Sequence, residues 1–205
     1  MKETVIDLIR HGEPVGGRRY RGHGVDDPLS EKGWSQMWQA VGGYNAWQHI
    51  ITSPLQRCQQ FAQALGERHA IPVSIESRFR EVGFGEWEGL SHDEIKIGRA
   101  SEYQAFLQDP VNCRPRDAEP LEDFIERVNS AYEEVVERHS NGHILIVAHA
   151  GVMRALIADF FRLDLWDVIE APPPGLAIHV VKATESSTLD VHAVGHARLL
   201  GRPAG

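Results

Sequence analysis

Residues 144–151 read Ile144-Leu145-Ile146-Val147-Ala148-His149-Ala150-Gly151. Five apolar residues in an unbroken run do not fit the alternation of a half-exposed strand. They predict a strand buried on both faces, the hallmark of a parallel sheet. The run stops at a histidine and two small residues, after which a helix is expected through Phe161. The chain begins with the same layout: Val5-Ile6-Asp7-Leu8-Ile9 leads into Arg10-His11-Gly12. Two buried strands, each delivering a histidine at its carboxyl end, decide the fold class as α/β.

Between these strands the pattern changes to a period of three to four. Ser30 caps a helix expected over residues 29–44, with Trp34, Met37, Trp38 and Val41 on its apolar stripe. A second strand, Trp47 to Thr52, stops at Ser53-Pro54. Pro54 suits the first turn of a helix whose apolar side is Leu55, Cys58, Phe61, Ala62 and Leu65. Ile71 to Ile75 is a short third strand. Residues 121–139 form an amphipathic helix closed by Asn141-Gly142. Leu176 to Lys182 and Thr188 to Val194 pair as final strands about a Glu185-Ser186-Ser187 turn. Strands alternating with helices give three α/β/α layers around a mostly parallel mixed sheet. The expected organisation is one domain over residues 1–200, a small helical cap inserted at about 90–120, and a tail at 201–205.

With 205 residues, 42% of them apolar, the chain can build a substantial core. Its formal charge of -8 argues against nucleic acid as the principal partner, because phosphate backbones require clustered Lys and Arg. No apolar stretch approaches the ~20 residues needed to span a bilayer. The first residues have no charged, apolar and small-residue leader layout, so a cytoplasmic protein is expected. Cys58 and Cys113 lack CxxC spacing and read as a reduced pair. The remaining histidines, His92 among them, show no ligand spacing and read as surface or packing residues, so neither a metal site nor a cofactor is expected.

Ligands of open α/β sheets bind beyond the carboxyl ends of the strands. His11 and His149 lie at two such ends, Arg10 beside the first, and Arg57 in the first turns after a third. Guanidinium forks match phosphate oxygens, and an imidazole among cations is held neutral and nucleophilic. A second histidine, protonated or sharing a proton, stabilises a phosphoryl group in flight. Glu81, on a loop at another strand end, is the best acid for the leaving oxygen.

Five segments carry a resemblance. Leu8-Ile9-Arg10-His11-Gly12-Glu13, Asp27-Pro28-Leu29-Ser30-Glu31-Lys32-Gly33 and Ser53-Pro54-Leu55-Gln56-Arg57-Cys58 come first. Glu81-Val82-Gly83-Phe84-Gly85-Glu86-Trp87-Glu88-Gly89 and Ala148-His149-Ala150-Gly151 follow. In that order they resemble the signature elements of the histidine phosphatase (phosphoglycerate mutase-like) superfamily. The resemblance implies that His11 is the phosphorylated nucleophile, that Arg10, Arg57 and His149 form the phosphate pocket, and that Glu81, rather than Glu86 or Glu88, is the acid/base.

The Trp-Asn pair that many relatives place after Arg-His-Gly-Glu is absent. Pro14 to Gly22 here is a rebuilt loop in which Arg18, Arg19 and Arg21, with Gly22, are candidate substrate contacts. The loop looks most like the α-ribazole phosphatase branch, acting late in cobalamin assembly, with Trp87 or Tyr20 stacking on an aromatic base. The stretch between Glu81 and His149 leaves room only for a small cap, which favours hydrolysis over mutase chemistry. A metal-independent phosphomonoesterase acting on a small molecule is therefore expected. The alternatives are a phosphoglycerate mutase, a protein phosphatase with a more open pocket, or a phosphate-binding regulatory module. A homodimer is left open.

Overall fold

The computed structural model describes residues 4–161, 177–182, 187–192 and 196–201. Four parallel strands form the heart of the sheet, in the order β3 (Val73–Ile75), β2 (His49–Thr52), β4 (His143–Ala148), β1 (Thr4–Arg10). Strand β5 (Ala177–Lys182) joins β1 antiparallel, and β6 (Ser187–His192) pairs antiparallel with β5. The turn expected at 185–187 falls largely outside the described residues. A strand absent from the sequence reading, β7 (His196–Gly201), pairs with both β6 and β5. Its short His-Ala-Arg-Leu-Leu-Gly run has too little alternation to announce a strand, and its pairing supplies the missing order. Gly201, expected to open the tail, instead closes β7, and 202–205 lie outside the described residues.

Both faces of the central strands are covered, and the side-chain period of two explains how. Ile6, Leu8, Ile144, Ile146 and Ala148 point to a core shared with α5 (Leu121–Arg138) and α6 (Ala150–Phe161). Ile9, Ile50, Leu145 and Val147 point the other way, to Met37 and Val41 on α1 (Glu31–Val41) and Phe61 and Leu65 on α2 (Gln56–His69). Each large apolar side chain buried this way contributes about 1.5–3 kcal/mol relative to exposure. The continuous apolar runs of β1 and β4 are the consequence of this two-sided burial.

Helix α1 starts where Ser30 accepts a hydrogen bond from the Gly33 N–H, and the Ser30 hydroxyl donates to the Glu13 carbonyl. A Cβ on Gly12 would lie 2.3 Å from the Gly33 carbonyl oxygen. The loop leaving His11 thus packs backbone to backbone on the first turn of α1, a contact that only glycine allows. Helix α2 begins at Gln56, later than Pro54 suggested, and the Leu55 N–H just before it donates to Ser53 Oγ at 3.3 Å. Between residues 90 and 120 lie two short helices, α3 (His92–Gly98), opened by a Ser91–Glu94 capping box, and α4 (Ala100–Gln108). Among the described residues no helix is long and apolar enough to cross a membrane.

Candidate active site

The register of the sheet builds the site. Arg10 on β1 pairs with Ala148 on β4, so both strands end at the same level. The His11 N–H donates to the Ala148 carbonyl at 3.0 Å, and the His11 and His149 rings lie edge to face, centroids 5.2 Å apart. Strand β2 ends at that level too: the Ser53 N–H donates to the Val147 carbonyl, and Ser53 Oγ lies 2.7 Å from His149 Nε2. Arg57, in the first turn of α2, completes the group.

His11 Nδ1 sits 2.7 Å from the Gly12 carbonyl oxygen. A carbonyl can only accept, so Nδ1 carries the proton and Nε2 keeps its lone pair. Burial, with the positive charges of Arg57, Arg10 and Arg21, lowers the His11 pKa from 6.5 to about 3. The ring is therefore neutral across the physiological range. His149 is fully buried beneath it, and burial and Arg57 hold its pKa well below the ordinary value. The pocket thus favours the neutral form of both imidazoles. Cys58 Sγ lies under His149, 3.6 Å from Nε2, and donates to the Ala148 carbonyl. Burial raises this thiol's pKa, and Cys58 and Cys113 are both free.

Arg57 is 1% exposed; its Nη1 and Nη2 donate to the Val25 and Gly22 carbonyls at 3.0 and 2.8 Å. Gly22 therefore serves the site through its carbonyl, by steadying Arg57. Arg10 lines the pocket with its Nε buried and unpartnered among the described residues. A guanidinium facing the cavity offers a fork that fits phosphate oxygens.

Glu81 enters from the loop after β3. Its carboxylate accepts from the Val82 N–H at 3.0 Å and from the Gly151 N–H, in the first turn of α6, at 3.3 Å. Its backbone carbonyl accepts from Arg127 Nη2 and lies 3.1 Å from His23 Nδ1. Arg127 is in turn clamped by both oxygens of Glu119, which also accepts from the Gly83 N–H. Sequence reading missed this clamp, because a hydrogen bond from helix α5 to a loop carbonyl leaves no local pattern.

A cavity of about 600 Å³ opens above these groups. Arg10, His11, Arg57, Glu81 and Ala150 line its floor, and Arg18, Arg19, Tyr20, Phe84 and His92 line its mouth. Of the three loop arginines, Arg21 is 8% exposed and spoken for: it binds Asp27 at 2.9 Å and the Val15 and Gly17 carbonyls. It shapes the loop around the pocket. Arg19 folds back on the Gly16 carbonyl, whereas Arg18 is exposed. Trp87 requires a correction. It is fully buried, its indole N–H donates to Glu102 at 2.6 Å, and it packs with Ile95 and Tyr103 away from the cavity. Side chains from α3 and α4 bury it, and the aromatic residues that line the cavity are Tyr20, Phe84 and His92 instead. His92, expected to be a surface or packing residue, is thus brought to the pocket by the packing of α3.

Two neutral histidines at the ends of adjacent parallel strands, flanked by guanidinium groups and a carboxyl, define an α/β protein equipped to handle phosphate esters. The chain belongs to the histidine phosphatase superfamily (branch 1), whose family model matches residues 6–193. It is 31% identical over 182 residues to glucosyl-3-phosphoglycerate phosphatase of Mycolicibacterium vanbaalenii, covering 82% of this chain and 80% of the relative. It is likewise 31% identical to adenosylcobalamin/α-ribazole phosphatase of Salmonella typhimurium, covering 78% and 82%. Among solved structures it is similar to Bacillus stearothermophilus YhfR, with a TM-score of 0.79, 27% identity and coverage of 97% and 96%. A mycobacterial glucosyl-3-phosphoglycerate phosphatase complexed with VO3 gives a TM-score of 0.76 at 26% identity, covering 98% and 99%. The chain is accordingly a phosphatase of this superfamily, with the mostly parallel α/β sheet of its relatives.

Proposed function

We propose that this phosphatase hydrolyses a small-molecule phosphate monoester without a metal ion, through a phosphohistidine formed on His11. The observation that carries the reading is the fixed tautomer of His11: Nδ1–H is tied to the Gly12 carbonyl, and Nε2 is left free beside Arg10 and Arg57. Nε2 attacks phosphorus, the ester P–O bond breaks, and the leaving oxygen takes the proton of the Glu81 carboxyl. Arg10 and Arg57 counter the charge on the phosphoryl oxygens, and the His149 imidazole adds its dipole. In the second half, Glu81 as carboxylate removes a proton from water, whose oxygen attacks phosphorus. The P–N bond breaks with its electrons returning to Nε2, and Glu81 keeps the proton for the next cycle.

The segment at 90–120 acts as a small cap within a single domain over residues 1–200. A small cap favours release of the alcohol and hydrolysis over return of the phosphoryl group. α-Ribazole 5′-phosphate is one candidate ester, suggested by the loop resemblance and the Salmonella relative. Its stacking argument now rests on Tyr20 alone.

The test is hydrolysis of p-nitrophenyl phosphate by wild type and His11→Ala, both in EDTA. Turnover that persists in EDTA and disappears in the variant is expected. Turnover unchanged in His11→Ala would remove the nucleophile from the scheme, and loss of wild-type turnover in EDTA would remove metal independence.

A further inference from the structure

The loop that carries Glu81 holds two further carboxylates, and each has a different use. Glu81 lines the cavity, whereas Glu86 pairs with Arg99 at 2.8 Å and with Arg116. Glu88 spends its oxygens on backbone instead. Its Oε1 accepts from the Phe84 N–H in the same loop. Its Oε2 accepts from the Gly24 N–H, 64 positions away in the chain, and both bonds measure 2.9 Å.

Gly24 belongs to a turn closed by a bond from the Val25 N–H to the Arg21 carbonyl at 3.1 Å. The same turn presents the Gly22 and Val25 carbonyls to Nη2 and Nη1 of Arg57. The Glu88 carboxylate packs directly on this turn, and a Cβ on Gly22 or on Gly24 would strike its oxygens. Just beyond the turn, the Asp26 carboxylate accepts from the Gln56 N–H at 2.7 Å, at the start of the helix that bears Arg57. The segment is thus pinned to α2 by Asp26 and to the acid loop by Glu88. His23 adds a lesser link, its Nδ1 lying 3.1 Å from the Glu81 carbonyl, so loss of Glu88 loosens the turn without releasing it.

Resting on the phosphatase reading above, we propose that Glu88 is a positioning residue: by tying the Gly22–Val25 turn to the acid loop, it sets where the Arg57 fork meets the phosphoryl group. Glu88 does not line the cavity, so it acts through Arg57 rather than on the ester. Carboxylate bonds to backbone N–H groups are charge-assisted and directional, which suits them to hold a turn in place. Arg57 binds the phosphoryl group before and during its transfer, so a shifted fork weakens both states alike.

The test reads orthophosphate affinity by calorimetry, beside turnover of an alkyl phosphate and of p-nitrophenyl phosphate. Glu88→Ala is expected to raise the Kd for orthophosphate about tenfold and to lower kcat/KM by a similar factor on both esters. Glu88→Gln keeps one accepting oxygen, and Gly24→Ala displaces the carboxylate tip while keeping its charge; both should move the Kd the same way. Arg57→Lys removes the fork that the turn holds, so adding Glu88→Ala to it should change the Kd less than about twofold. A role confined to stability would lower the melting temperature and leave the Kd unmoved, or would repeat the full loss in the Arg57→Lys background. Either result overturns the inference. A loss limited to the alkyl ester would make Glu88 the proton donor and overturn it equally. If no ester is turned over while orthophosphate binding follows these expectations, the hydrolase scheme falls alone. If the esters are turned over and the Kd is unmoved, this inference falls alone, and a wild type that binds no orthophosphate removes both.

Discussion

Replacing Gly151 by alanine isolates the position of the Glu81 carboxyl from its chemistry. A Cβ at this residue would stand 2.3 Å from Glu81 Oε1 and 3.4 Å from Phe124 Cζ. The second contact is ordinary, so only the first must open, by about 1 Å. The atom that must move is the tip of a flexible side chain, and it moves more readily than helix α6. The fold should not suffer: Gly151 lies in the first turn of a helix, where alanine gains up to ~1 kcal/mol in propensity. That gain offsets the loss of the 3.3 Å hydrogen bond from the Gly151 N–H. A misplacement of ~1 Å of a reacting group costs on the order of 10²-fold in rate, within the 10²–10⁴-fold that a general acid supplies.

The assay compares kcat for an alkyl phosphate with kcat for p-nitrophenyl phosphate. An alkoxide needs the Glu81 proton to leave, whereas p-nitrophenolate leaves with little help. Gly151→Ala should therefore lower kcat on the alkyl ester by about 10²-fold and on p-nitrophenyl phosphate by much less. Glu81→Gln should show the same asymmetry more strongly. An equal loss on both esters, with a melting temperature no lower than wild type, would refute Glu81 as the proton donor.

Two further outcomes follow from the same geometry. The folded pKa of His11 lies near 3, below the ordinary 6.5, so the unfolded chain takes up this proton first as pH falls. Its contribution to stability is thus complete above about pH 6.5 and is lost progressively down to about pH 3. The gap corresponds to at most about 4–5 kcal/mol, reduced because the ring borders an open cavity. Urea titrations at pH 7 and 4.5 should show a smaller loss for His11→Asn than for wild type, and equal losses would contradict the assigned burial. Trp87→Phe removes the indole donor to Glu102 and should cost roughly 1–3 kcal/mol of stability. Its KM for p-nitrophenyl phosphate should stay within about twofold; a steep rise would return Trp87 to the ligand.

The sequence by itself determined the frame. The unbroken apolar runs at 5–9 and 144–148 announced strands covered on both faces, because only two-sided burial tolerates apolar residues at every position. The three-to-four spacing around Met37, Phe61 and Val128 announced the helices that cover them. The placement of the two histidines was legible too, since a histidine following each buried strand can only project from the carboxyl edge of the sheet. Tertiary structure alone decided the rest. The level of His11, His149 and Ser53 depends on the registers Arg10↔Ala148 and Thr52↔Val147, which are hydrogen bonds between segments far apart in the chain. The division of labour among Arg18, Arg19 and Arg21 depends on which carbonyl or carboxylate each guanidinium reaches. The exchange of Trp87 for His92 at the pocket wall reflects how α3 packs against the arginine loop. Burial patterns are local and repeat along the chain, so a sequence displays them. Partnerships between loops are non-local and leave no period, and in this protein they set which side chains line the mouth of the pocket.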